Sequence, residues 1–170
     1  MLFIWIFLMI IAAIFYYIFS ILALILYRIK IRNLLENVDS RRFLLYMNTR
    51  DFQNIIAEAL RRKGHKVEFT DKCGDEGNGF LLDDTHFVVV WKHAHNWQVE
   101  VEEAMKLARC MHVNSIFRGM LITLGDYKRS TRVYCHKNVI TCINGEQLLD
   151  MCKEVQTGKR TAINALKSAE

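Results

Sequence analysis

From Met1 to Tyr27 there is no charged side chain, whereas from residue 28 onward charges recur every few positions. A helix of that length measures about 40 Å against a hydrocarbon thickness of about 30 Å, so the run predicts a membrane-spanning anchor over residues 1–27. Phe3 and Trp5 at one end and Tyr27 at the other suit the two interfacial belts. A cleavable signal peptide fits poorly, because no basic segment precedes the run and the run is too long.

Past residue 47 the apolar residues become periodic. Phe52, Ile55, Ile56, Ala59 and Leu60 form a helical stripe, with Asn48 or Thr49 as its cap and Gly64 as its stop. Lys66 to Thr70, Gly79 to Leu82 and His86 to Lys92 read as three strands. A helix capped by Asn96 follows, with Trp97, Val101, Ala104, Met105, Ala108 and Met111 on one face. Ile116 to Leu124 is a near-continuous apolar strand, as in a sheet covered on both faces. Tyr127 to His136 is a basic helix, Val139 to Ile143 another buried strand, and Glu146 to Val155 a last helix after Asn144-Gly145. The order predicts one α/β domain over 48–155 and a polar tail over 156–170. Residues 28–47 form a basic juxtamembrane linker, either a simple spacer or a helix laying Ile31, Leu34 and Leu35 along the membrane surface.

The chemistry concentrates in GDEGNGFLLDDTHFVVVWKH, Gly74 to His93. In an extended strand Val88, Val90 and Lys92 face one way, and Phe87, Val89, Trp91 and His93 the other. A Lys ending a row of valines is costly in a core, since a buried ammonium needs a partner. Spaced i, i+2 with a metal ligand, the same Lys would meet a phosphate.

Four segments resemble the Mrr-like branch of the PD-(D/E)xK restriction endonucleases: the helix running into LRRKGHKVEFT (Leu60 to Thr70), the GDEGNG turn (Gly74 to Gly79), Val90-Trp91-Lys92, and NVITCINGEQLLDM (Asn138 to Met151). Together they span roughly Phe52 to Val155. The resemblance implies a restriction-endonuclease-like core, αβββαβ with a C-terminal αβα extension, after the transmembrane helix. It also implies DNA as partner, Mg²⁺ as cofactor, and Lys92 as the residue that steadies the phosphate. The family's strand-opening Asp falls on Gly79, the Gln or Glu of its strand motif on Val90, and the acidic residue of its first helix near Gln53. A Mg²⁺ site needs carboxylate oxygens, and neither Gly79 nor Val90 has one, so metal-dependent cleavage is expected to be impaired or lost. Asp75 and Glu76 are the nearest possible substitutes; Asp83 and Asp84, with Thr85, read as the hairpin turn.

Charge modifies this picture. Six of the 23 basic and two of the 18 acidic residues fall in 28–50, which leaves 17 and 16 for the remainder. The excess is a juxtamembrane cluster (Arg28, Lys30, Arg32, Arg41, Arg42, Arg50), explained by topology and anionic lipid before DNA. The positive-inside rule puts the N-terminus outside and the domain in the cytoplasm, as at a bacterial inner membrane. Five cysteines without a CxxC suggest reduced thiols. Cys135 and Cys142 fit apolar packing. Lys128, Arg129 and Arg132 are candidate phosphate contacts or a solvated face. His93 and His95, with His86, are either metal ligands or polar strand ends. Two functions from different classes remain: an anchored nuclease-like domain that cuts or binds DNA, and a non-catalytic interaction subunit of an inner-membrane or envelope assembly with protein partners.

Overall fold

The computed structural model describes residues 2–72, 79–94 and 96–156. The first helix, α1 (Leu2–Glu36), continues without a break through the end of the apolar run. Its segment Trp5–Glu36 is long and apolar enough to cross a membrane, and its most apolar stretch is buried by nothing in the protein.

Residues 28–47 are structured, which corrects the expectation of a linker. After α1 comes α2 (Arg41–Tyr46), capped by Ser40. Ile31, Leu35, Val38 and Leu44 are at most 4% exposed. They join Phe52, Ile55 and Ile56 in one apolar cluster, so Ile31 and Leu35 face the domain and not a membrane surface. At the other end Gln156 is fully buried and donates through Nε2 to the carbonyls of Leu35 (2.8 Å) and Val38 (2.9 Å). The first residue assigned to the polar tail therefore belongs to the core.

Helix α3 (Thr49–Arg62) starts at Asn48, whose side chain accepts from the Asp51 amide at 2.6 Å. Then come β1 (Val67–Thr70), β2 (Gly79–Leu82), β3 (His86–Trp91), a short β4 (Gln98–Val99), α4 (Val101–Val113), β5 (Arg118–Thr123), a short β6 (Asp126–Tyr127), α5 (Arg129–Lys137), β7 (Ile140–Ile143) and α6 (Gly145–Glu154). The main sheet has the order β1-β2-β3-β5-β7. Its first three strands are antiparallel neighbours and its last three parallel ones. Helix α4 makes the crossover from β3 to β5, and α5 that from β5 to β7. This is the expected mixed core; the short parallel β4–β6 pair and α2 are additions to it.

Two apolar clusters cover the sheet. Phe80, Leu82, Val88, Val90 and Ile122 pack toward α1, α2, α3 and α6. Phe87, Val89 and Leu121 pack toward α4 and α5. On α4 the buried stripe is Ala104, Leu107 and Met111, while Trp97, expected on that face, is 54% exposed. Gly145 opens α6 because a Cβ there would lie 2.0 Å from the Leu124 carbonyl oxygen. Asn144 and Gln147 close a reciprocal capping box over the same turn.

Candidate functional site

Lys92 directly follows β3, and strand alternation places it on the face of Val88 and Val90. Its Nζ donates to the backbone carbonyl of Met47, the C-cap of α2. The side chain therefore lies under the junction of α2 and α3. Burial pushes the Lys92 ammonium below the usual lysine range, with no acidic partner among the described residues to oppose it.

The strand register decides what accompanies it. Gly79 pairs with Val89 and Phe80 with Val88 across the antiparallel β2–β3 ladder. Directly paired residues share a face, so position 79 belongs to the Val89 side, away from Val90 and Lys92. Gly79, Val90 and Lys92 do not form one cluster, and a side chain at 79 would enter the core beneath α4. On the Lys92 face β2 offers only Phe80 and Leu82, both buried and apolar. Gln53 is buried in the first turns of α3. Asp75 and Glu76 lie outside the described residues. Among the described residues no three His, Cys, Asp or Glu side chains converge as metal ligands. The described residues do not fit a divalent metal at Lys92.

The acid of this region is Asp51, two residues before Gln53, and it points to α1. It accepts from Tyr27 Oη at 2.9 Å, Lys30 Nζ at 2.7 Å and Asn48 Nδ2 at 3.3 Å. Burial works to raise its carboxyl, but the hydrogen bonds from Lys30 and Tyr27 outweigh burial and hold it below the usual aspartate value. Residues 21 and 24 positions apart meet here, a contact that no local periodicity could have shown.

The remaining candidates separate into structural roles. Asp83 and Asp84 form the β2–β3 turn with positive φ of 53° and 58°. Their carboxylates take the Lys66 amide (2.8 Å) and the Lys66 ammonium (3.0 Å). Lys128 pairs with Glu100 at 2.5 Å and Arg132 with Asp126 at 2.5 Å, while Arg129 is exposed at the start of α5. His93 stacks between Trp91 and Trp97, with ring centroids 5.7 and 5.6 Å away. His86, at the opposite end of β3, meets Thr85 Oγ1 at 2.8 Å; His95 lies outside the described residues. Cys135, Cys142 and Cys152 are free. Cys110 is disulfide-bonded, contrary to the all-reduced expectation. Its Sγ, carried by α4, lies 3.1 Å from the Lys72 carbonyl just after β1.

Three comparisons bear on this arrangement. No curated protein sequence matches the chain. Among solved structures, the DNA modification-dependent restriction endonuclease AspBHI superposes at TM-score 0.53 and 11% identity, covering 84% of this chain and 40% of that one. MspJI restriction endonuclease in complex with a 27-mer oligonucleotide gives TM-score 0.44 and 16% identity, covering 69% and 30%. The chain thus spans less than half the length of either protein, and the AspBHI likeness speaks for the fold alone. The Mrr_cat restriction endonuclease model matches residues 44–152, from α2 through α6 and including Lys92. That match takes in well over half of the chain, which belongs to the Mrr-type restriction endonuclease family.

Proposed function

We propose that this chain is a membrane-anchored restriction-endonuclease-type domain that engages DNA at the cytoplasmic face of an inner membrane, with metal-dependent cleavage impaired or lost. The observation that carries the proposal is the surroundings of Lys92. Lys92, read here as the counterpart of the family lysine, follows β3; its described neighbours on that face are Val88, Val90 and Phe80, and its ammonium donates to the Met47 carbonyl. A divalent ion held by carboxylates would activate water and neutralise phosphate charge; valine and phenylalanine supply neither function. DNA as partner is supported by family membership and by the dependence on DNA modification named for AspBHI. The anchored orientation is supported by the uncharged run over 1–27 and the six basic residues that follow it.

The second reading, a non-catalytic interaction subunit of a membrane assembly, has one observation in its favour. Lys128 and Arg132, the candidate phosphate contacts on α5, are already ion-paired within the domain.

The test uses the full chain in detergent micelles with supercoiled plasmid and Mg²⁺ or Mn²⁺. The proposal expects plasmid retention that weakens with salt and little or no nicking. Rapid nicking abolished by Lys92→Ala would overturn the loss of cleavage. No retention even at low salt would favour the second reading.

A further inference from the structure

Where α1 leaves its apolar run, it forms a cleft with α3. Two adjoining cavities of about 280 and 330 Å³ share Arg28, Glu58 and Arg61 in their linings. Tyr27 and Ile31 of α1, Arg50 and Asn54 of α3, and Phe69 of β1 complete the first, which Leu24 reaches from inside the apolar run; Arg32 completes the second. Four guanidinium groups therefore surround a space whose only lining acid among the described residues is Glu58. That acid is already divided between Arg32 (3.5 Å) and Arg62 (3.7 Å). The other three arginines make no ion pair among the described residues, although the Asp51 carboxylate attracts Arg50 from beside the cleft. Arg50 lies over the Tyr27 ring at 5.6 Å. Arg61 lies over Phe69 at 6.0 Å and donates to the Val67 carbonyl. Arg28 makes no ion pair among the described residues.

We infer that this cleft binds the phosphate headgroup of an anionic membrane lipid. The inference rests on the membrane-spanning reading of α1. Four arginines around one lining carboxylate repel one another, and an anion in the cleft offsets that cost. Guanidinium forks suit phosphate oxygens. The smaller cavity alone has room for about nine water volumes, sufficient for a phosphate with its glycerol. Its position selects the source. With Leu24 and Tyr27 in its wall, the cleft opens at the level where hydrocarbon gives way to headgroups, and a DNA duplex approaching it would meet the bilayer.

The full chain is reconstituted in nanodiscs of phosphatidylcholine alone, or of phosphatidylcholine with a minor fraction of phosphatidylglycerol, and the domain's melting temperature is followed at fixed salt. Phosphatidylglycerol is expected to raise the melting temperature by roughly 4 °C. Arg28→Gln with Arg50→Gln should remove most of that rise, while Arg109→Gln with Lys137→Gln, an equal charge change on α4 and α5, should keep it. Arg28→Gln alone, at an exposed position that makes no ion pair, covers the case in which the double variant fails to fold; it should lose part of the rise. An equal loss in both double variants, or no rise at all, overturns the inference. An equal rise with inorganic phosphate in phosphatidylcholine discs overturns the lipid assignment, as does plasmid binding that disappears with Arg28→Gln. Flotation of the chain with plain phosphatidylcholine vesicles after alkaline extraction tests the spanning reading separately. A chain that floats but ignores phosphatidylglycerol sinks only the headgroup site.

Discussion

Removing residues 1–42 should unfold the domain, although all of the deleted residues lie before the family match. The deletion takes Ile31, Leu35 and Val38 out of the core, where they are 4%, 0% and 0% exposed. Full burial of each such side chain is worth about 1.5–3 kcal/mol, or roughly 5–9 kcal/mol together. It also strips the Leu35 and Val38 carbonyls from the buried Gln156 amide, a further loss of about 1–3 kcal/mol. The Glu36–Arg62 pair at 2.5 Å goes too. The sum is comparable to the whole stability of an ordinary domain, about 5–15 kcal/mol. A fragment starting at residue 28 keeps all of these contacts and loses only the uncharged run. In urea titrations followed by near-ultraviolet circular dichroism, fragment 28–170 should unfold cooperatively, and fragment 43–170 should show no cooperative transition. Leu35→Ala within the longer fragment should cost about 2–5 kcal/mol, lowering the midpoint by roughly 1–2 M. Two cooperative transitions of equal midpoint for the two fragments would show that α1 is a tether without a structural part in the domain.

Three further outcomes follow from the site. Asp51→Asn should destabilise the α1–α3 contact by about 1–3 kcal/mol. Because the folded Asp51 carboxyl lies below 3.8, its contribution is complete above that value and is lost as pH falls through the lower folded one. The difference between wild type and variant in urea midpoint should therefore be constant near neutrality and close only below about pH 4. Lys92→Met should leave stability at neutral pH unchanged or raise it by up to about 1 kcal/mol, since the folded pKa is depressed by burial and the penalty on the charged form persists until pH climbs toward 10.5; a fall beyond about 1 kcal/mol would make the Met47 contact a structural requirement. Gly79→Asp and Val90→Glu, introduced together, should give no Mn²⁺-dependent rise in melting temperature beyond that of either change alone, because the two carboxylates project from opposite faces of the sheet; a larger rise in the double variant would mean that both reach one ion.

Much of the fold was legible because the domain alternates between two clean periods. The α3 stripe, the β3 alternation and the near-continuous apolar run of β5 each match one period, and their order specified the sheet. The anchor's far end was not legible for a physical reason. Ile31, Leu34, Leu35 and Val38 form an apolar stripe at helical spacing, but lipid and a protein core both accept such a stripe. Only the contacts across 20 or more residues, Tyr27 and Lys30 with Asp51 and Glu36 with Arg62, show which environment it has.

The site was half legible for a related reason. Placing Lys92 needed only the parity of β3, whose alternation is internal to six residues. Placing its partners needed the register between β2 and β3, and that depends on the turn. Asp83, Asp84 and Thr85 all lie between the paired Leu82 and His86, so odd-numbered residues of β2 meet odd-numbered residues of β3. A two-residue turn would have brought odd against even and set Gly79 opposite Val88 or Val90. A one-residue slip moves every side chain to the other face, and here it separates a plausible metal cluster from two unrelated positions. Motif spacing counts residues along the chain, whereas an active site depends on which face they share. Position 79 lies on the sheet face opposite Lys92, so an aspartate there would be a buried charge on the Val89 side of the sheet.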